Sequence, residues 1–135
     1  MEDFDHMVDK KRTAMNSIRP ASIAKEHAEM GLRDMIIANV KAVFAEKVAR
    51  VIDVAVRKGK LYIVRSFDLG ELFDECQYEY RAEYDDLIKY AVADVLDEIS
   101  RKDYRVQYEI NEEYFRINFF IDWSYSTLPT PVAQI

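Results

Sequence analysis

The stretch from Tyr104 to Trp123, YRVQYEINEEYFRINFFIDW, decides the fold. Its opening residues alternate, with Tyr104, Val106, Tyr108 and Ile110 on one side and Arg105, Gln107 and Glu109 on the other. A period of two is that of a half-buried strand. Asn111-Glu112-Glu113 is a short polar break, after which alternation resumes. Phe115, Ile117, Phe119, Ile121 and Trp123 then oppose Arg116, Asn118 and Asp122. So short a connection can join only antiparallel strands, because a parallel pair needs a long crossover. The stretch therefore reads as a C-terminal antiparallel β-hairpin. Phe120 is the exception, an aromatic ring on the polar face, and is expected under a helix or in a subunit contact.

A lone hairpin is marginal in water, so the rest of the chain must cover it. Lys60 to Phe67, KLYIVRSF, is rich in β-branched and aromatic residues and supplies a third strand. Before it, Ser22 to Lys58 carries Ile37, Val40, Phe44, Val48, Val51 and Ala55 at steps of three and four, the spacing of one helical face. Met30 extends this stripe backward, Ser22 is the expected N-cap, and Gly31 is a candidate division between a short leading helix and a longer one. Gly59 fits the left-handed residue that ends many helices. Between the strands, Asp68 and Glu71 have capping-box spacing and open a second helical region reaching Lys102. Gln77-Tyr78-Glu79-Tyr80 makes this region either one kinked helix or two consecutive ones. The expected fold is α+β, with two long helical regions packed on a small three-stranded sheet that contains the hairpin. Residues 21–123 form the expected domain, 1–20 a flexible arm and 124–135 an extended tail with Pro129 and Pro131.

Of 135 residues, 50% are hydrophobic and 33% charged, which suits a single domain with a core and excludes a wholly disordered chain. No apolar run approaches the roughly 18 residues of a membrane span, and the N-terminus MEDFDHMVDKKR does not read as a secretory signal. A single cysteine, Cys76, cannot form an internal disulfide, which favours a reducing compartment. The net charge of -6 is uneven: residues 1–64 carry +3 and residues 65–135 carry -9. The acidic half would repel a phosphate backbone, so direct nucleic-acid binding is not expected. The best basic cluster, Lys10-Lys11-Arg12, lies beside Asp5 and Asp9.

The helix start with Ala21, Ala24 and Ala28, the helix end Ala-Val-Arg-Lys-Gly-Lys, the following strand, the second helical region and the closing Ile121-Asp122-Trp123 resemble small uncharacterised α+β proteins of tailed bacteriophages. The resemblance covers about 100 residues, Ala21 to Trp123, and implies a viral origin but no catalytic residue. The longer acidic second helical region and the proline-bearing tail depart from that pattern.

The chemistry of sites gives little. His6 and His27 are far apart in the chain, without the preorganised ligand pair that zinc sites use, so no metal is assigned. Asp85-Asp86 and Asp94 with Asp97-Glu98 read as solvated helix faces. Cys76 lies beside Asp74 and Glu75, whose charge opposes thiolate formation, and on the apolar stripe, so it reads as core. Gly31, Gly59 and Gly70 make no phosphate loop. No serine lies in a nucleophile-elbow setting, so no catalytic residue and no cofactor is assigned.

Two readings follow. The first is a non-enzymatic phage-type protein, virion-associated or assembly-related, acting through protein–protein contacts as a homo-oligomer in the virion or host cytoplasm. Its reason is physical: a helix of about 35 residues spans roughly 50 Å, more than a domain of this size can cover. Its partners are itself and other viral or host proteins, with no membrane. The alternative is an acidic accessory protein that inhibits a host nucleic-acid enzyme by imitating phosphate. The candidate interaction residues are Tyr78, Tyr80, Tyr84, Asp85, Asp86 and Phe120.

Overall fold

The computed structural model describes Met15 and residues 17–126. The basic cluster at Lys10-Lys11-Arg12, His6, most of the expected arm and the tail beyond Ser126 lie outside the described residues. The elements run α1 (Ala21–Arg57), β1 (Tyr62–Asp68), α2 (Leu69–Asp74), a 3₁₀ turn (Ala82–Tyr84), α3 (Asp85–Ser100), β2 (Arg105–Asn111) and β3 (Arg116–Asp122). The architecture is α+β, as the alternation and helical spacing indicate. The three-stranded antiparallel sheet has the order β1-β3-β2, and β2 and β3 form the hairpin.

The chain divides into two units, Met1–Asp34 and Met35–Ile135, with the boundary inside α1. In the first unit, every residue from Ala21 to Asp34 is exposed. Met30 is 56% exposed and does not extend the buried stripe. Gly31 does not divide the segment, because α1 is continuous across it. The roughly 1 kcal/mol that glycine costs is smaller than the cost of nucleating a second helix. Ser22 is not the cap either. The Pro20 carbonyl accepts from the N–H groups of Ile23 and Ala24, so Ser22 lies within the first turn. Proline serves here because it lacks a donor but keeps its acceptor.

In the second unit, Ile36, Val40, Phe44, Val48 and Ala55 of α1 are buried. They pack with Leu69, Leu72 and Phe73 of α2, with Ile88, Ala91, Val92, Val95 and Leu96 of α3, and with Ile63, Ile117, Phe119 and Ile121 of the sheet. Phe44 lies at the centre, with its ring edge-on to Phe67 at 5.9 Å and to Phe119 at 5.8 Å. The helix ends as Gly59 requires. At φ +75° it lets the Lys60 N–H reach the Ala55 carbonyl and its own N–H reach Val56, closing a Schellman motif.

The second helical region is two helices. Asp68 caps α2 by accepting from the Glu71 N–H at 3.0 Å, and Gln77, at φ 61°, ends the segment. The hairpin register runs from Arg105 opposite Asp122 to Asn111 opposite Arg116. Phe115, expected on the apolar face of the second strand, instead sits in the turn at φ 49°. Its carbonyl accepts from the Leu69 N–H.

Asp122 is the one buried charged residue among those described, 7% exposed. Its Oδ1 accepts from the Ser124 hydroxyl at 2.7 Å and the Ser124 N–H at 2.8 Å. These bonds, against desolvation, hold its carboxyl below the usual range, with help from Arg105.

Two outcomes are expected. Phe44→Ala should cost about 3–5 kcal/mol, read as a lower urea midpoint, because it leaves a cavity between helix and sheet. The Asp122 contribution should be complete above the ordinary carboxyl pKa of about 4 and should fade as pH falls through its lower folded value. Urea midpoints taken from about pH 6 to pH 2 should therefore fall more gently in Asp122→Asn than in the native chain.

Candidate protein-interaction surfaces

The loop between α2 and α3 gathers three of the expected interaction residues around one ring. Phe73, fully buried, stacks on Tyr78 at 6.2 Å, meets Tyr80 edge-on at 6.0 Å, and lies against Tyr84 at 6.0 Å. Tyr84 is 8% exposed and is core, not a contact surface. Tyr78 is half-buried, and its hydroxyl oxygen accepts from the Asn39 side chain of α1 at 2.5 Å. Tyr80 is 48% exposed. Its hydroxyl donates to Asp85 at 2.5 Å, which raises its pKa. The tyrosines plug the break between the helices, and only Tyr80 presents substantial area to a partner. Asp86 is exposed and paired with Lys89 at 3.2 Å.

Phe120 belongs to a different surface. It alternates with the buried Phe119 and Ile121, so it lies on the sheet face turned away from the helices, tilted against Tyr62 at 5.8 Å. The helices of the second unit pack on the opposite face, with Ile117, Phe119 and Ile121. Tyr62, Val64 and Phe120 make a small apolar patch there, with Val64 opposite Phe120 in register.

The acids are interleaved with cations. Lys41 of α1 reaches Asp94 at 2.5 Å and Glu98 at 3.3 Å on α3. Lys47 meets Glu75 at 2.8 Å, and Lys89 meets Glu112 at 3.1 Å. Hydrogen bonds to these carboxylates push the Lys41 and Lys89 pKa values up. Lys41 and Lys47 thus set cations of α1 against acids of the later helical elements, which lowers the surface field of those acids.

Reactive chemistry is sparse. The Cys76 thiol is half-buried, within 3.8 Å of the Leu72 carbonyl. Burial, and then the Glu75 charge, push its pKa up. His27 contacts Arg19 on its own unit. Among the described residues no group of three or more His, Cys, Asp or Glu side chains converges on a point, and no helix is long and apolar enough to cross a membrane.

The most extensive candidate surface went unread in the sequence. Along α1 in the second unit, Met35, Ala38, Ala42, Ala45, Ala49, Ile52 and Val56 follow one another at alternating steps of three and four. Ile52 is half-buried and the rest are exposed. This is heptad spacing, with small or apolar side chains at each seam position. The larger residues at Ile37, Val40, Phe44 and Val48 dominate any hydrophobicity reading and hide it. In the second unit the seam borders a groove of about 470 Å³ between α1 and α3. Val95, Ile99 and Tyr104 complete its apolar wall.

Cys76 should react slowly with a thiol reagent at neutral pH in the folded chain, and much faster after unfolding in urea, as timed by absorbance. No protein-family model matches the chain, and no curated protein or solved structure shows significant similarity to it.

Proposed function

We propose that the protein is a non-enzymatic assembly component that works through protein–protein contacts as a homo-oligomer, paired along the exposed heptad seam of α1. The observation that carries this reading is the seam itself: small and apolar residues at unbroken four-three spacing, left in solvent while the opposite stripe of the helix fills the core. Heptad spacing keeps one face turned toward a partner helix over many turns. Alanine at the contact lets two helix axes approach at or below the short end of the usual 8–10 Å separation. Burying Met35, Ile52 and Val56 against a second copy removes apolar surface that one chain leaves exposed or half-exposed, worth about 25 cal/mol per Å².

The virion-associated or assembly role follows from the resemblance to phage proteins and is part of the proposal. Phosphate mimicry draws less support, because Lys41, Lys47 and Lys89 lie in ion pairs with acids it would need to present.

The native chain should sediment as an oligomer at micromolar concentration. Ala38→Glu with Ala42→Glu, both at exposed positions, should shift it to the mass of a single chain with its circular dichroism unchanged. A native chain that sediments as a monomer would remove the reading, and mass spectrometry of purified particles tests the virion role.

A further inference from the structure

We infer that the open edge of β1 is a docking site for an extended acidic segment of another protein, which adds to the sheet as a fourth strand. This surface is distinct from the α1 seam, and the inference does not depend on self-association.

Among the described residues, the sheet order β1-β3-β2 leaves β1 with a neighbour on one side only. The pairing fixes which of its backbone groups are engaged. The Trp123 N–H donates to the Leu61 carbonyl beyond one end of the strand, and the Leu69 N–H donates to Phe115 beyond the other. Hydrogen-bonded pairs alternate along an antiparallel ladder. Residues 61, 63, 65, 67 and 69 therefore face β3, and the backbone N–H and C=O groups of Tyr62, Val64 and Ser66 point to the open side. No described strand pairs with them.

Exposed edges are usually shortened, kinked by a bulge, interrupted by proline, charged or covered, and on this one the device present is charge, at Arg65. This one runs for seven residues in unbroken register, Tyr62 opposite Asp122 through Asp68 opposite Arg116. It contains no proline and carries exposed Tyr62 and Val64. Beside it lies a groove of about 460 Å³ between the strand and the last turns of α1. Val51, Val54 and Leu61 give the groove apolar surface, and Lys58, Lys60 and Arg65 give it charge. No acidic side chain is among those lining it.

That charge selects the occupant. The β1 segment of a second copy, Lys60 to Asp68, carries Lys60 and Arg65 against the single acid Asp68, so it brings further net positive charge to a cationic groove. An extended acidic segment meets the same cations favourably. Its backbone completes the ladder, and alternate side chains enter the groove, which is how strand addition combines affinity with specificity.

The test uses the full chain and two fluorescein-labelled nine-residue peptides, one alternating valine with glutamate and one alternating valine with lysine. Fluorescence anisotropy should show the acidic peptide binding, more weakly as salt rises, and the basic peptide not binding. Lys58→Glu with Lys60→Glu, both exposed, should weaken the acidic peptide about tenfold. Hydrogen exchange should slow at the Tyr62, Val64 and Ser66 amides when that peptide binds, while Ile63 and Arg65, already paired, stay as they were. Equal binding of the two peptides, or no effect of the charge reversal, would overturn the inference. So would outward amides already protected in the chain alone, which would mean that a second copy or one of the chain's own terminal segments holds the edge. Sedimentation of the α1 seam variant reports on neither peptide, so the two proposals fail separately.

Discussion

The inner face of β3 must be kept from water, and everything else in the second unit is arranged to do so. Ile117, Phe119 and Ile121 sit on the central strand with a partner strand on each side. A central strand satisfies its backbone laterally, so only its face remains to be covered, and Phe44 covers it with edge-on contacts to Phe67 and Phe119. Aromatic rings bury large area and prefer this offset geometry. The position of α1 follows from it, and with α1 placed, α2 and α3 fill the remaining apolar surface through Phe73, Ile88 and Leu96.

Committing one stripe of α1 to the sheet leaves the other to solvent. A helix residue advances 100° per step, so no single layer can bury both stripes of so long a helix. The inward stripe carries the bulky residues, and in the second unit the outward stripe carries alanine and a few larger apolar side chains at heptad spacing. Small residues cost little when exposed, which makes the seam compatible with a soluble surface and with close helix pairing. The open edge of β1 arises from a comparable shortage. Three strands have two edges, and the helices lie over the face.

The charge asymmetry along the chain also resolves in three dimensions. Lys41 and Lys47 from the basic first part meet Asp94, Glu98 and Glu75 from the acidic second part. These pairs are partly exposed and individually weak. Lys58, Lys60 and Arg65 stay apart from them as a basic cluster beside the open strand.

Much of this was legible in the residues. The hairpin, the third strand, the cap at Asp68 and the stop at Gly59 rest on local periodicity and turn chemistry, which operate within a few residues of the chain; near Gln77 the residues left a kink and a break open, and the structure has a break. Long-range choices were not legible in the same way. Sequence spacing could not say that β3 would be central, that Tyr84 would enter the core while Tyr80 stayed exposed, or that Phe120 would lie on the open face. Ser22 and Gly31 misled for a related reason: local preferences of about 1 kcal/mol yield to a neighbouring carbonyl or a continuous helix. The sequence alone determined which segments are helix and which are strand, because periodicity is a property of one segment. Only the tertiary structure decided which stripe of α1 is buried and which strands lie at the edges of the sheet, because both depend on what another segment brings.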